Sequence, residues 1–347
     1  DRTIPLLVKK ALSYLIESCC PATWGHPKLR EFTMRILLMT DWMTPIRDAM
    51  RAEMPEHEVV TAPPSDLREA MEIADVLVPA RNAITPTELE WSGRTQLIQQ
   101  YGAGVDAIDI TAAAARGIPV ANVPSGPSDL AKAVAEFALF HMIGAGRRFA
   151  TLQHVLGEQS IQAPFGASVF EAQVCIVGLG GIGSALARLL RAFDCRVVGV
   201  KKTPETDLLN ELGIDAIYPS NQIVEAVHNC GFVVVAVPLT DETTGLINAE
   251  VIDAMPQGAV LINVARGPVV DENALLAALE SGQLAAAGLD VFWDEPVDPT
   301  HPVFDREVFA TPHCASSCDL FLRGAARVVR GNIERLQRGE PLQHRVN

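Results

Sequence analysis

The sequence has few cysteines, and their arrangement does not indicate a covalent framework. Seven cysteines are spread over 347 residues at spacings that do not suggest disulfide pairs. Reduced thiols are typical of the cytosol, so we expect a cytoplasmic protein. Cys314 and Cys318 lie four residues apart, but no second pair accompanies them. We therefore predict no metal site.

Long apolar runs and an excess of positive charge are also missing. The longest apolar stretches, such as 232–239, are far too short to span a bilayer. Lys9 and Lys10 interrupt a weakly apolar run at 4–16, and no clear signal-peptide cleavage site follows it. The chain carries 28 basic and 42 acidic residues, a formal charge of −14 that would repel nucleic acid and anionic membranes. We therefore expect neither a membrane nor a nucleic acid as a partner.

The sequence is rich instead in short apolar segments that alternate with helical patterns. Apolar residues make up 48% of a chain that is long enough for two domains. Strands separated by helices are typical of α/β folds with parallel sheets, so we predict two Rossmann-like lobes. The predicted strands are 35–40, 58–62, 74–80, 96–101 and 118–122 in a first lobe, and 174–177, 196–200, 216–218, 232–237, 259–264, 285–291 and 308–311 in a second.

The predicted domain boundaries make the first lobe discontinuous. A long helical run at 128–149 and a final helix at about 317–338 are the expected crossings, since no low-complexity linker separates the lobes. The stretch 151–169 is weakly patterned and is expected to cover the lobes or to link them. The predicted domains are an N-terminal extension at 1–33, a flavodoxin-like substrate domain at 34–131 and 318–347, and a dinucleotide-binding Rossmann domain inserted in it at 132–317.

The segment 174–183 is the centre of the second lobe. A β-branched apolar run leads into Gly-x-Gly-x-x-Gly, and a helical pattern follows. In such units the first glycine makes the turn, the second lets a pyrophosphate approach the backbone, and the third lets the helix pack on the strand. The phosphates then bind N–H groups at the start of the helix. The alternative is a glycine-rich turn without a ligand. The predicted phosphate-binding residues are Gly178, Gly180, Gly181, Ile182 and Gly183.

Three charged residues follow strands of the second lobe, namely Arg266, Glu295 and His313. Ligands of open parallel sheets collect at the carboxyl ends of the strands, so these side chains can converge. A guanidinium can hold a carboxylate and polarise the adjacent carbonyl, and a histidine can exchange the alcohol proton. A carboxylate beside that histidine would favour its charged form and fix its ring. These residue types suit the reduction of a 2-oxo acid, with a hydride from a cofactor.

Each of the three residues has a structural alternative. Arg266 could close a surface ion pair, and Glu295 could be a solvated turn residue before a proline. His313 could be a loop histidine with a satisfied ring. A further candidate is the loop 99–106, where glycine N–H groups could hold a carboxylate or simply form a βα turn.

Several short motifs follow one another between Met34 and the last helix. They are Gly-Ala-Gly-Val-Asp-Ala-Ile-Asp at 102–109, Arg-Gly-Ile-Pro-Val-Ala-Asn-Val-Pro at 116–124, Ala-Val-Ala-Glu-Phe-Ala at 133–138, Val-Gly-Leu-Gly-Gly-Ile-Gly at 177–183, Pro-Leu-Thr at 238–240, Thr-Thr-Gly-Leu-Ile at 243–247, Asn-Val-Ala-Arg-Gly-Pro-Val-Val-Asp-Glu at 263–272, Gly-Leu-Asp-Val-Phe at 288–292, Glu-Pro at 295–296 and Thr-Pro-His at 311–313. With these motifs the chain resembles the D-isomer-specific 2-hydroxyacid dehydrogenases. That family includes glycerate, lactate and phosphoglycerate dehydrogenases and glyoxylate/hydroxypyruvate reductases.

The resemblance implies roles for individual residues. Arg266, Glu295 and His313 would form the catalytic group, with His313 as the proton donor in reduction. The N–H groups of Ala103 and Gly104 would bind the substrate carboxylate together with Arg266 and His313. It also implies a homodimer joined through the nucleotide-binding lobes, with a small 2-oxo acid between two lobes that close. The cofactor site would further include Pro238, Val264, Ala265, Arg266 and Asp290.

The chain departs from the family at the end of the second strand of the Rossmann unit. An acidic residue often stands there and binds the adenosine ribose. Here Lys201 and Lys202 follow Val200. Two ammonium groups would favour a 2′-phosphate, so we predict that NADP is preferred over NAD. The alternative is that both lysines are solvated and that the enzyme uses either cofactor, or NADH. The segment 170–173 also lacks the family's common Gly-Lys-Thr, and the extension at 1–33 has no recognised counterpart.

Other functions of the same scaffold are weighed against a 2-oxo acid reductase. Oxidation of formate or phosphite ranks low because the chain lacks obvious additional insertions. A nucleotide-sensing protein of the corepressor type would show a damaged catalytic group or long interaction tails, and the sequence shows neither. The leading prediction is an oxidoreductase of the glyoxylate/hydroxypyruvate reductase kind.

Overall fold

The first lobe is built on a sheet of five parallel strands. The computed structural model describes residues 34–80, 82–124, 126, 128–157, 161, 163–204 and 206–347, so the predicted extension at 1–33 lies outside the described residues. The strand order is β2-β1-β3-β4-β5. The strands are β1 (Arg35–Leu38), β2 (Glu58–Thr61), β3 (Val76–Val78), β4 (Leu97–Gln99) and β5 (Val120–Ala121).

Four helices connect the strands of this lobe. Their starts show the expected end signals: Thr85 and Glu88 form a capping box around Pro86, and the side chain of Asp109 accepts the N–H of Ala112. Apolar residues of the helices and strands form a buried layer on each face of the sheet. The helices are α1 (Thr44–Glu53), α2 (Leu67–Glu72), α3 (Pro86–Glu90) and α4 (Ile110–Ala115).

The second lobe contains a sheet of seven parallel strands in the order β12-β11-β10-β9-β6-β7-β8. Its central strands are buried along their whole length, because helices cover both faces of a parallel sheet. The strands are β6 (Gln173–Val177), β7 (Arg196–Val200), β8 (Ala216–Tyr218), β9 (Phe232–Val235), β10 (Ala259–Asn263), β11 (Leu284–Leu289) and β12 (Val308–Ala310). The predicted α/β class with two parallel-sheet lobes is confirmed.

The helical run expected at 128–149 is broken into two helices. Arg148 has a left-handed backbone, with φ of 56°, and an α-helix cannot continue through such a residue. A separate helix then covers part of the weakly patterned stretch at 151–169. The helices from this point are α5 (Leu130–Gly146), α6 (Phe149–Gly157), α7 (Gly181–Leu190), α8 (Thr206–Leu212), α9 (Ile223–Val227), α10 (Ala249–Asp253), α11 (Glu272–Ser281) and α12 (Asp319–Arg338).

The last helix returns to the first lobe. Asn332, which is fully buried on α12, donates from Nδ2 to Gln99 Oε1 at 2.8 Å. The hydroxyl of Tyr101 donates to the carbonyl of Leu322 at 2.7 Å. Beyond α12, Arg345 pairs with Ala121 at the edge of the first sheet. Among the helices described here, none is both long and apolar enough to cross a membrane.

Candidate active site

The glycine turn after β6 has the shape that a dinucleotide needs. Gly178 has φ of 105°, and a Cβ there would lie 2.7 Å from the carbonyl oxygen of Ala236. A Cβ on Gly183 would overlap the Gly178 carbonyl, so the helix packs closely on the turn. A Cβ on Gly180 would meet no atom within 4 Å. The backbone at Gly180 is therefore open to a bound group at the N-terminus of α7, where anions are favoured.

The end of β7 carries the two predicted lysines in different surroundings. Lys201 is anchored by its backbone N–H, which donates to the carbonyl of Tyr218 at 3.0 Å. The exposed Lys202 places Nζ 2.5 Å from Oε2 of Glu242. Glu242 lies in the turn after Pro238 and was not identified from the sequence. Part of the positive charge predicted to receive a 2′-phosphate is therefore balanced by a carboxylate.

Arg266 stands on a tightly fixed turn after β10. The buried amide of Asn263 accepts the N–H of Ala265 at 3.0 Å and donates to the carbonyl of Arg266 at 2.9 Å. Nη1 of Arg266 donates to the Ala265 carbonyl at 2.8 Å. These bonds close the turn on itself, so the direction of the guanidinium is set largely before any ligand binds.

The guanidinium of Arg266 reaches across to the first lobe. Its Nε and Nη2 lie 3.4 and 3.3 Å from Oδ2 of Asp106, in the loop after β4. A Cβ on Gly104 would overlap Nη2, so only glycine lets the arginine lie on this loop. Within the described part of the chain, the N–H groups of Ala103 and Gly104 donate to no protein acceptor. The loop thus offers two N–H donors beside a guanidinium.

His313 and Glu295 form a bonded pair, as the sequence predicted they could. Nδ1 of His313 lies 2.7 Å from Oε2 of Glu295, and the other carboxylate oxygen accepts the N–H of Phe292 at 3.1 Å. Because Nδ1 faces the carboxylate, Nε2 is the ring nitrogen that can exchange a proton with a ligand. The pair sits where β11 and β12 end, beside the end of β10 that carries Arg266.

Asp290 is buried beneath the histidine turn. Its Oδ1 accepts the N–H of Cys314 at 2.8 Å and the hydroxyl of Thr311 at 2.6 Å, and its Oδ2 accepts the N–H of Ala315 at 3.0 Å. Burial raises the pKa of Asp290, and these three donors oppose that shift. His313 itself has φ of 50°, a left-handed conformation that is unfavourable for a residue with a side chain. The carboxylate therefore fixes the backbone that carries His313.

No group of three or more His, Cys, Asp or Glu side chains able to hold a metal ion occurs among the residues placed by the structure. The structure brings Arg266 to the loop of Ala103 and Gly104, and His313 to Glu295, and both groups lie at the carboxyl ends of strands.

Comparison with known proteins identifies the family. A protein-family model described as the NAD binding domain of D-isomer specific 2-hydroxyacid dehydrogenases matches residues 139–315, about half of the chain. A glyoxylate reductase of Korarchaeum cryptofilum is 33% identical over 296 residues, which cover 82% of this chain and 87% of that protein. The chain belongs to the D-isomer specific 2-hydroxyacid dehydrogenases. The resemblance predicted from the motifs is confirmed.

Other members of the 2-hydroxyacid dehydrogenase family extend the match. A D-3-phosphoglycerate dehydrogenase of Methanocaldococcus jannaschii is 30% identical over 90% of this chain and 59% of its own length. An NADPH-dependent glyoxylate/hydroxypyruvate reductase of Sinorhizobium meliloti, solved with NADP and malonate, is 28% identical with a TM-score of 0.74. The matched region covers 90% of this chain and 96% of that structure.

Family membership settles the reaction class. This 2-hydroxyacid dehydrogenase is an oxidoreductase that transfers a hydride between a nicotinamide cofactor and a 2-oxo or 2-hydroxy acid. The predicted alternative, a nucleotide-sensing binding protein, is not favoured, because the matched relatives are named as enzymes.

Four side chains of this site were not singled out from the sequence: Asp106, Glu242, Asn263 and Thr311. Asp106, Asn263 and Thr311 lie inside the quoted motifs, so proximity to a motif could have identified them. Glu242 has no such signal, because only the fold brings its loop to the end of β7.

Proposed function

We propose that this enzyme reduces a small 2-oxo acid of the glyoxylate or hydroxypyruvate kind to the 2-hydroxy acid. The observation that carries the proposal is the position of Arg266 on the loop of Ala103 and Gly104, with the His313–Glu295 pair at the neighbouring strand ends. Arg266 and the loop suit a carboxylate, and the His313–Glu295 pair suits an alcohol oxygen. The matched glyoxylate reductase relative supports the same substrate class.

Arg266 binds and activates the substrate in this proposal. Its guanidinium has five N–H donors, and the bonds to Asp106 and the Ala265 carbonyl use three of them. The remaining N–H groups of Nη1 and Nη2 form a fork that can hold the carboxylate and polarise the carbonyl at C2. The N–H groups of Ala103 and Gly104 bind the other carboxylate oxygen.

His313 supplies the proton. A nicotinamide cofactor held in this site would supply the hydride for C2. As the carbonyl becomes an alkoxide, the proton on Nε2 of His313 passes to its oxygen, and Glu295 stabilises the ring through Nδ1. In the oxidative direction the neutral ring takes the same proton back.

The cofactor is held by the glycine turn and by the strand ends. The pyrophosphate would lie on the N–H groups of Gly180 to Gly183, and the nicotinamide end would contact Asp290, Pro238 and the turn of Val264, Ala265 and Arg266. The open backbone at Gly180 and the positive φ at Gly178 support this placement.

We also propose that NADPH is preferred over NADH. Lys201 and Lys202 stand where an acidic residue would bind the ribose 2′-hydroxyl. The ion pair of Lys202 with Glu242 is exposed and therefore weak, so a 2′-phosphate can displace the carboxylate. Two matched structures were solved with NADP or NADPH, from Sinorhizobium meliloti and from Xanthobacter autotrophicus.

Cofactor preference should respond in opposite directions to two substitutions. We expect kcat/KM to favour NADPH by about 10- to 100-fold, the value of one charged hydrogen bond. Lys201→Asp should reverse the preference, because a carboxylate binds the 2′-hydroxyl and repels the phosphate. Glu242→Gln should increase it by about 2- to 5-fold, because Lys202 loses its competing partner. An unmodified enzyme that favours NADH, or a Lys201→Asp variant with unchanged preference, would contradict the proposal.

A homodimer is proposed from an exposed apolar surface of the second lobe. Phe140 and Phe149 are 48% and 43% exposed and pack on Phe309, with ring centroids at 4.9 and 5.4 Å. Such a patch is typical of a subunit interface. Sedimentation should show a dimer for the unmodified enzyme and a monomer for Phe140→Lys. Trp42→Lys, at an exposed aromatic of the first lobe, should stay dimeric; dimers from all three proteins would exclude this surface.

We also propose the division into two domains and a cytoplasmic location. The domain division at 34–131 with 318–347, and at 132–317, is supported by the packing of α12 on the first lobe. A cytoplasmic location is supported by the described cysteines, all of which are free thiols.

The substrate proposal is tested with a panel of 2-oxo acids. Glyoxylate, hydroxypyruvate and pyruvate are each added with NADPH and then with NADH, and loss of the nicotinamide absorbance is followed. We expect reduction of glyoxylate or hydroxypyruvate with the highest kcat/KM. A panel in which only pyruvate or a bulkier acid is reduced would refute the substrate class but leave the reaction class intact.

A further inference from the structure

His141 is a polar residue in an otherwise apolar place. It lies in the middle of α5, has no exposed surface, and packs against the rings of Phe137 and Phe309 with centroids at 5.2 and 4.9 Å. Its Nε2 is 2.8 Å from Oγ1 of Thr311, whereas its Nδ1 has no hydrogen-bond partner in the described part of the chain. A leucine would fill such a pocket without burying an unpaired nitrogen, so the packing alone does not explain a histidine.

The hydrogen bonds of Thr311 fix the direction of this contact. The Thr311 hydroxyl lies 2.6 Å from Oδ1 of Asp290, and an ionised carboxylate can only accept. The single hydroxyl hydrogen therefore points to Asp290, and Thr311 must accept the bond from His141. The ring is consequently the Nε2–H tautomer, and Nδ1 is a bare acceptor. Burial lowers the pKa of His141 to about 4 against a smaller, opposite effect of the Phe309 backbone, and the ring stays neutral at working pH.

The hydrogen bonds that start at His141 and Thr311 end at the backbone of the turn that carries His313. Asp290 accepts the N–H groups of Cys314 and Ala315, the two residues that follow His313. His313 has a left-handed backbone, which needs support from its surroundings. A carboxylate held in one orientation by Thr311 supplies that support.

We propose that His141 is a positioning residue for the reaction, because its N–H holds the Thr311 hydroxyl against Asp290 and so steadies the turn that presents His313. The proposal rests on the proposed role of His313 in proton transfer. His141 itself touches neither substrate nor cofactor. Without its N–H, the Thr311 oxygen loses the donor on the side opposite Asp290, so the hydroxyl is no longer held in place from both sides and Asp290 is held less firmly.

The hydrogen bonds from His141 through Thr311 to Asp290 are called the relay below. Steady-state kinetics of four variants test it. His141→Leu and Thr311→Val should each lower kcat by about 3- to 10-fold, the effect of one hydrogen bond, with the KM of the 2-oxo acid unchanged. His141→Gln should recover most of the activity, because its amide nitrogen can donate from nearly the same place. Met142→Leu, a buried neighbour on the same helix, should behave like the unmodified enzyme.

The double variant separates a relay from independent packing defects. His141→Leu combined with Thr311→Val should lose no more activity than the more damaging single variant, because both break the same chain of bonds. Losses that multiply, or a His141→Gln variant no better than His141→Leu, would overturn the proposal. Each activity is divided by the fraction of enzyme that binds cofactor, so that misfolded protein does not enter the comparison.

Histidine nitrogen NMR of the unmodified enzyme gives an answer that does not depend on activity. The resonance lost in His141→Gln should show the Nε2–H tautomer and should stay unchanged between about pH 8 and about pH 5, where an ordinary histidine titrates. An Nδ1–H tautomer, or titration within that range, would overturn the relay. His313→Ala separates failure of the relay from failure of the proposed function. If that variant stays active, the proposed function fails. If only the relay fails, activity still depends on His313.

Discussion

Replacing His313 with alanine should lower kcat by about 100- to 10,000-fold, the usual contribution of a general acid–base group. The substitution removes the ring whose Nδ1 is bonded to Glu295 and whose Nε2 faces the substrate in the proposed mechanism. The glycine turn proposed to bind the cofactor follows β6, away from His313, so the affinity for NADPH should change little. Stopped assays at several pH values, with cofactor binding followed by fluorescence, measure both quantities.

The same lobe contains a matched control for this prediction. His301 is bonded to Glu272 at 2.9 Å, so it is also a histidine paired with a carboxylate, but it caps a turn that the proposed mechanism does not use. His301→Ala should keep kcat within about twofold. Loss of the capping hydrogen bond should lower the free energy of unfolding by about 1 kcal/mol. Near-normal turnover of His313→Ala at every pH would remove His313 from the mechanism.

Arg266→Lys should lower kcat/KM for 2-oxo acids by about 100-fold or more. Lysine keeps the positive charge but loses the planar fork, and with it at least one charged hydrogen bond of about 1.5–3 kcal/mol and the alignment of the carbonyl. Arg323→Lys is the control, because Arg323 forms an exposed ion pair with Asp319 on the last helix and should tolerate the change. Full activity of Arg266→Lys would exclude bidentate binding of the substrate.

Gly104→Ala tests the same arginine from the other lobe. The added methyl would overlap Nη2 of Arg266, which is the end of a flexible side chain and can move away. The fold should therefore be retained, while the guanidinium is displaced and kcat/KM falls by at least about 10-fold. Gly102→Ala offers a nearby comparison, because a Cβ there would meet no atom within 4 Å. Equal activity of both variants would argue against contact between the arginine and this loop.

The fold could be predicted from the sequence because its signals are local. Apolar runs such as 36–38 and Phe232–Val235 have the length and composition of buried strands, and the glycine turn after β6 has a defined spacing. Arg266, Glu295 and His313 were identified as candidates for the same reason, since each follows a strand and parallel strands end at one edge. The break between α5 and α6 was missed because a left-handed Arg148 has no sequence signal of its own.

The partners of these side chains could not be predicted in the same way. Asp106 is 160 residues from Arg266, Glu242 is 40 residues from Lys202, and Thr311 is 170 residues from His141. Such pairs depend on how two lobes and several loops are placed, and a periodic pattern carries no information about that. In the sequence, His141 is only a polar residue within an apolar helix. Its contact with Thr311 becomes visible in the folded structure.

The most direct test compares hydroxypyruvate with glycolaldehyde, the same molecule without its carboxylate, in the unmodified enzyme with NADPH. Recognition through Arg266 and the loop of Ala103 and Gly104 predicts that hydroxypyruvate is reduced with a kcat/KM at least about 1,000-fold higher, since a site built for charged hydrogen bonds rejects a substrate that lacks the partner. Equal rates for the two compounds, or reduction of neither hydroxypyruvate nor glyoxylate, would contradict the assignment of this site to 2-oxo acids.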